Sequence, residues 1–545
     1  KGSTYPDING SIGILFEQAT SRGMQQQSFN GLVTFEFGIQ NHVLTSLSTV
    51  EGAWQNKKAL KNYRQDFYKQ GLKLAQREKF DGYLIHADKD KYRLNTFLQT
   101  LNQHQIMVYP LTDDFRHNGK VYSKELSYYL PLEQPQFRVI QALFNQQTNF
   151  QDNTFYDVSG WTLPLAMNIE FHQVDRTRRL TLADQAWEKP LEALTSLDNN
   201  AYAYVFEWHH SLAPQLLEKL LSSGLKAKVA TKSFSSIVKG IKREFKAGSI
   251  LLATGWQQNK NWREIVSHAS EESHIEIYSL STGYNLEGVD LGSGSFKALS
   301  PVNVMMIGGE NISQYEAGEV RYYLEKTIHL PLSIIEQHRV NAIDLAVYSH
   351  IILVDGNYQS FSDKTVSQLK NWIESGGVIF AQKRATKWLA SKEILSADFV
   401  TNNQINQMYD VSELNYQDQK ILAARKRIAG AIFQTKLDDS HPLTYGIETT
   451  NLPLFRNSTL IMKRPVQAFI NVANYTNTPL MSGYADRNLV NMIARSSAVI
   501  AHSLGEGRVV ASTDNLAFRG YWLGSAKLLA NSLYFSKAFD VSVTN

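Results

Sequence analysis

Short apolar runs of strand length recur along this chain, each followed by residues at helical spacing, and that alternation predicts α/β layering. From about residue 80 the succession occurs twice. Gly82 to Ala87 reads as a strand, Lys91 to Leu101 as an amphipathic helix, Ile106 to Tyr109 as a second strand and Ser127 to Leu132 as a third. The second copy uses Tyr202 to Phe206, Ala213 to Leu221, Ala227 to Ala230 and Phe245 to Ala253. Both read strand, helix, strand, insertion, strand, an α/β unit in which parallel pairing is expected. An aromatic connector, Phe155 to Leu165, lies between them, and its Gly160 and Pro164 break regular structure.

Small and turn residues from Leu291 to Ser300 mark a further boundary. A third α/β domain opens with strand Val302 to Ile307, Gly308-Gly309 and helix Tyr315 to Lys326. Strand His350 to Val354, helix Lys364 to Glu374 and strand Val378 to Ala381 continue it. After a variable stretch near 395 to 425, strand Arg508 to Ser512 and helix Gly524 to Phe535 complete a doubly wound, flavodoxin-like pattern. Before all of this, residues 1 to about 75 read as the end of a domain. Strands Ile12 to Phe16 and Leu32 to Phe37 lead into a long helix whose Val43, Leu47, Val50, Trp54, Leu60, Tyr63 and Phe67 form a stripe. A helix this long packs on a sheet, and most of that sheet is absent here. The boundaries expected are therefore 1–75, 76–165, 166–298 and 299–545.

Composition narrows the function. Hydrophobic residues make up 43% and charged residues 19% of 545, which suits several folded domains at ~150 residues each. A net charge of +4 is too small for a phosphate-tracking surface, so no nucleic-acid partner is expected. The most basic stretch, Lys226 to Lys246, reads as a solvated face. No apolar run approaches the ~18 residues of a spanning helix, so no membrane partner is expected either. With no Cys, disulfides, thiolate zinc sites and Cys nucleophiles drop out together. The chain opens on Lys1 without an initiator Met, so a processed chain or a fragment is expected.

Few constellations carry chemistry. His268 and Glu271 form an H-x-x-E with His274 nearby, but no third zinc ligand is evident, and a polar surface helix is expected. His86 and the pair His209-His210, at strand ends, are read the same way. Gly308-Gly309 lacks the rest of a dinucleotide or Walker motif, and Gly292-Ser293-Gly294-Ser295-Phe296 only approaches a nucleophile elbow. No cofactor-binding residue and no metal ligand is assigned. Glu17 is the informative residue: it closes the apolar strand Ile12 to Phe16, where a carboxylate is costly unless paired or functional. A catalytic role and an ion pair with Arg22 both account for it, and Glu36 sits in a similar frame.

GSIGILFEQATSRG (Gly10 to Gly23) and NGLVTFEFGIQNHVLTSLSTVEGA (Asn30 to Ala53) resemble the end of the catalytic domain in large multidomain bacterial zinc carboxypeptidases of the carboxypeptidase A-like family. The resemblance continues through FYDVSGWTLPLA (Phe155 to Ala166), YEAGEVRYYL (Tyr315 to Leu324), AGAIFQTKLDDSHPLTYG (Ala429 to Gly446) and DNLAFRGYWLGSAKLLANSLYF (Asp514 to Phe535), and so covers essentially the whole chain. It implies that Glu17 is the general base that takes a proton from a zinc-bound water. Gly2-Ser3 then resembles the small-residue loop before the catalytic strand, and Tyr5 is a poor substitute for the family's substrate-capping tyrosine. The zinc ligands belong to an earlier part of that domain, so zinc is implied for the full-length parent and none for this chain alone. The resemblance also implies a peptide or protein substrate in the parent, and a periplasmic or extracellular location.

The third domain resembles the class I glutamine amidotransferase-like fold, but strand Val378 to Ala381 runs into Gln382, Lys383 and Arg384 where that fold has its Cys. Amidotransferase chemistry is thereby excluded, and a binding or scaffolding role is expected. The expectation is an α/β chain: the end of a zinc-peptidase domain, a duplicated α/β region and a flavodoxin-like or amidotransferase-like domain. Its rival is a noncatalytic binding or assembly module with Glu17 structural. A third reading, an enzyme working through the downstream domains, would be favoured by a polar pocket there without zinc.

Overall fold

A computed structural model describes residues 4–117, 119–155, 157–175, 180–189 and 197–541. Lys1, Gly2, Ser3 and Tyr156, on which parts of the sequence reading fall, lie outside the described residues. The chain divides into one unit of Lys1–Ile85, Leu98–Phe144 and Phe171–Glu188, and another of His86–Phe97, Asn145–Glu170 and Lys189–Asn545. Helices and strands are mixed throughout, in the α/β class.

The first unit holds a sheet of four strands in the order Tyr109–Pro110, Ser127–Pro131, Gly82–His86, Glu170–Val174. Strand Gly82–His86 is buried at every position, as its apolar run requires. Its Gly82 is obligatory: a Cβ there would lie 2.4 Å from the Leu130 carbonyl oxygen. The boundary expected at 165 assigns Glu170–Val174 to the next unit, but this strand pairs at the edge of the first sheet.

Residues 4–75 depart from expectation. Ile12 to Phe16 is irregular and exposed rather than a buried strand, and Glu17 is exposed with it. A strand needs a neighbour for its backbone N–H and C=O groups, and this segment has no sheet beside it among the described residues. The only pairing is a hairpin, Gln25–Ser28 with Gly31–Thr34. The second expected strand stops at Thr34, whose hydroxyl accepts from the Phe37 N–H and caps helix Phe35–Gln55. Asn56 separates that helix from a second, Lys57–Ala75. The stripe exists, but Val43, Leu47, Val50 and Trp54 are 53%, 63%, 67% and 70% exposed.

In the second unit a five-stranded sheet runs Tyr278–Leu280, Ala203–Phe206, Ile250–Ala253, Lys228–Ala230, Phe296–Ala298, and all neighbours are antiparallel. The expected parallel pairing fails because Ile250–Ala253 inserts between the two strands joined by helix Ala213–Ser222, which therefore never touch edge to edge. In the first sheet, likewise, Tyr109–Pro110 meets Ser127–Pro131 antiparallel. The stretch Phe245 to Ala253 is two strands, because Lys246 to Ser249 turns between Ile241–Phe245 and Ile250–Ala253. Taken in chain order, both sheets place their second, third, first and fourth strands side by side.

The largest sheet has nine strands. Five are parallel: Leu332–Glu336, Val304–Gly308, His350–Leu353, Val378–Gln382 and Gly507–Ser512, in the spatial order 2-1-3-4-5 of a doubly wound sheet. Four antiparallel strands extend it: Ser497–Leu504, Asn471–Ser482, Ala431–Leu437 and Asn451–Arg456. Helix Leu523–Tyr534 is buried from Gly524 onward, and it matters below because it carries Lys527. No helix among the described residues is long and apolar enough to cross a membrane.

Candidate functional site: a polar cavity at two strand ends

Strands Gly82–His86 and Ala203–Phe206 are wholly apolar but for His86, and each is followed by charge: Ala87-Asp88-Lys89-Asp90 and Glu207-Trp208-His209-His210-Ser211. Backbone direction thus delivers acids, a lysine and histidines to the carboxyl ends of strands, where α/β folds place their sites. Of these, Asp88, Lys89, Glu207, Trp208 and His209 line, with Tyr445 to Thr450, a cavity of about 380 Å³, within the ordinary size range of small-ligand pockets.

The cavity rests on a buried charge network. Asp90 is fully buried; its carboxylate accepts from the Ser211 hydroxyl at 2.6 Å and pairs with Arg93 at 3.5 Å. Burial alone would raise its pKa, but Arg93, His210, Lys527 and Ser211 hold it below the usual carboxylate range. Lys527 donates to three backbone carbonyls, those of Trp208, His209 and His210, at 2.5, 3.1 and 2.8 Å. Burial still pulls its ammonium down to about 7. Glu207 is lowered: burial opposes ionisation, and Arg243 at 2.6 Å, His209 and Lys89 outweigh it. Burial pushes Glu448 up to about 7 against the pull of Arg93. Burial likewise drops His209 and His210 to about 4, so both are neutral at pH 7.

These residues correct the surface reading of the strand-end histidines. His86 and His210 are buried, and His209 lines the cavity. Sequence inspection missed the site because its charges come from segments hundreds of residues apart. One signal could have found half of it: the rule applied to Glu17, a carboxylate closing an apolar run, also fits Glu207 after Tyr202 to Phe206.

A second cluster stands at the carboxyl edge of the parallel sheet. Lys383 joins strand Val378–Gln382 to helix Arg384–Ser391 with φ 54° and ψ −125°, a strained backbone for a non-glycine residue. Its ammonium lies 2.5 Å from Glu316 and 3.3 Å from Asp355, while Arg384 holds Asp355 at 2.7 Å. Burial lowers the Lys383 pKa, but the two carboxylates more than restore it, so the ammonium stays charged and is no nucleophile.

The other residues singled out from sequence lie apart from both clusters. Glu17 is exposed on irregular backbone, and Glu36 sits in the first turn of helix Phe35–Gln55. Arg22 has φ 48°, and Tyr5 donates its hydroxyl hydrogen bond to or accepts one from His104 at 2.9 Å. His268 and Glu271 are exposed on helix Trp262–Ser273, with His274 as its left-handed cap. Lys228 lies over the Trp256 ring and Arg243 over Tyr278, so the basic stretch is only in part a solvated face. Among the described residues one group, His86, Asp88 and Glu170, brings its ligand atoms within 4.8 Å of one another. Glu17 is not in it, and the described residues near Glu17 offer no donor set for zinc.

No family model matches the chain, and no curated relative matches it. Among solved structures, a cytoplasmic protein, STM3548, from Salmonella typhimurium is similar at 9% identity and TM-score 0.26, over 43% of this chain and 99% of that one. A ThuA-like protein from Bacteroides uniformis is similar at 10% identity and TM-score 0.26, over 43% and 89%. A β-galactosidase from the Antarctic haloarchaeon Halorubrum lacusprofundi is similar at 10% identity and TM-score 0.24, over 50% and 34%. At these scores none of them fixes a fold or a function for this chain.

Proposed function

We propose that this chain is the C-terminal portion of a zinc metallocarboxypeptidase-like protein, exported in its parent organism and acting there on peptides. Residues to about 75 close the peptidase domain, two duplicated α/β units follow, and a Cys-less amidotransferase-like domain ends the chain. The carrying observation is the uncovered apolar surface of that first segment. Ile12, Ile14, Leu15, Phe16, Val43, Leu47, Val50 and Trp54 are all exposed, as residues of a domain are when the sheet they cover is elsewhere. The same separation accounts for Glu17, which in this reading becomes the general base only beside zinc ligands outside this chain. The residues present do not fit zinc at Glu17, and no catalytic step is derived through it.

The test uses the coding sequence extended upstream of Lys1. The expected product binds one zinc per chain and hydrolyses peptides, and Glu17→Gln retains zinc while losing roughly 10²–10⁴-fold in turnover. Unchanged turnover, or an extended protein without zinc, overturns the reading. The cavity at the strand ends is a polar pocket of the kind that an enzyme working through the downstream domains calls for, and it equally suits a noncatalytic binding module; both predict an unaffected Glu17→Gln variant and ligand binding by this chain alone.

A further inference from the structure

We propose that the cavity at the two strand ends is a binding site for a ligand carrying a primary ammonium group, seated against the Glu448 carboxylate. This does not rest on the peptidase reading. Glu448 lines the cavity, its side chain is nine-tenths buried, and its Oε1 has no hydrogen-bond partner. Its other oxygen, Oε2, is spoken for: it accepts the Lys89 backbone N–H at 3.1 Å and lies 3.7 Å from Arg93. A buried carboxylate oxygen left without a donor is costly, and an incoming N–H group removes the cost.

The acids lining the cavity outnumber its lysines. Four carboxylates line the cavity, Asp88, Glu207, Asp439 and Glu448, against Lys89 and Lys246, with His209 neutral. Glu207 is engaged by Arg243 at 2.6 Å and Lys89 at 3.6 Å. Asp88 is engaged by His86 at 3.2 Å and the Glu448 Oε2 by Arg93 at 3.7 Å, which leaves the Glu448 Oε1 as the buried acceptor still without a donor. Beneath Glu448, Arg93 and Lys527 face Asp90, and Asp88 adds a further negative charge beside it. Burial keeps Glu448 partly protonated near pH 7. An ammonium that docks there therefore displaces a fraction of a proton per site to solvent at pH 7 and leaves a carboxylate–ammonium pair. Hydroxyls of Thr444 and Thr450 and the rings of Trp208 and Tyr445 flank the site and suit a ligand with both polar and apolar parts.

An ammonium of this kind comes from a peptide amino terminus or from a lysine side chain. Calorimetric titration of this chain at pH 7 uses alanyl-alanine amide for the first, Nα-acetyl-lysine amide for the second, and N-acetyl-alanyl-alanine amide as the uncharged control. The expected result is binding of an ammonium probe and not of the control, with a heat that differs between phosphate and Tris because protons are released. The tighter of the two probes names the source. Glu448→Gln removes the buffer dependence and weakens binding roughly tenfold or more. Asp439→Asn, an exposed rim change that the fold tolerates, weakens it roughly two- to fivefold. Should Glu448→Gln unfold on a circular dichroism melt, Asp439→Asn and the buffer dependence of the unaltered chain decide. Equal binding of the control, no binding of either ammonium probe, or binding without proton release overturns the proposal.

Discussion

Residues 35–55 and the sheet strands between 304 and 512 both carry apolar patterns, yet their fates in the fold are opposite. In the strands Val304–Gly308, His350–Leu353 and Val378–Gln382 every position is buried, whereas helix Phe35–Gln55 buries none of its residues. An apolar pattern states a demand for cover; it does not say which chain segment supplies it. The sheet finds its cover nearby, in helices such as Leu523–Tyr534. Among the described residues the N-terminal stripe finds none.

Large changes in the core carry the largest expected effects. Phe380→Ala, at a position 1% exposed, is expected to cost ~3–5 kcal/mol in urea unfolding. Lys383→Ala, which leaves Glu316 buried without a cation and Asp355 with Arg384 alone, is expected to cost a similar ~3–5 kcal/mol. Lys383→Gly, which also relieves the strain of φ 54°, is expected to cost less than Lys383→Ala, and an equal loss would mean that the backbone there stores no strain.

Acid is the next lever. Burial lowers His209, His210 and His441 to about 4 and His350 to about 3, so below the ordinary value of 6.5 the unfolded chain binds protons that the folded chain does not. Their contribution is complete above pH 6.5 and is lost as the pH falls toward 4, at ~1.4 kcal/mol per pH unit for each proton. Glu448 opposes this: its raised pKa gives stability below its unfolded value that is lost as pH rises through about 7. Lys527, lowered to about 7, makes the fold more stable as pH rises from there toward 10.5. A thermal melt series from pH 4 to pH 10 is expected to fall steeply on the acid side, and Lys527→Met is expected to flatten the alkaline rise.

The smallest effects belong to the stripe. Val50→Ala or Leu47→Ala is expected to change the stability of this chain by less than ~0.5 kcal/mol, because neither side chain is buried. Leu47→Lys with Val50→Lys is expected to reduce binding of a hydrophobic dye with the melting temperature unchanged. The same pair in the upstream-extended protein is expected to destabilise it by several kcal/mol, and an equal stability there would remove the reason for placing a sheet against this helix.

Much of the secondary structure was legible from residues alone. Val304–Gly308, His350–Leu353, Val378–Gln382 and Gly507–Ser512 begin or end within two residues of the runs read as strands, since each is apolar and ended by Gly or a polar residue. The strand expected at Ile12 to Phe16 was not legible as irregular, because its apolar residues are the same whether or not a partner strand stands beside them. Parallel pairing in the 200–298 region was misjudged for a related reason: a local pattern shows that two strands point the same way, but not that a third lies between them. Glu207 could have been found by the reasoning applied to Glu17. Asp90, Glu448 and Lys527 could not, because each is an ordinary charged residue in its own neighbourhood.

Local pattern and composition settle the α/β alternation, the absence of every cysteine-based chemistry and the amphipathic stripe that asks for cover. Tertiary structure alone decided which strands are neighbours, where Lys383 bends against its stereochemical preference, and which charges share one low-dielectric cavity. The division has a physical cause: periodicity and turn chemistry act over a few residues, whereas burial and proton affinity depend on what the whole fold brings within a few ångströms.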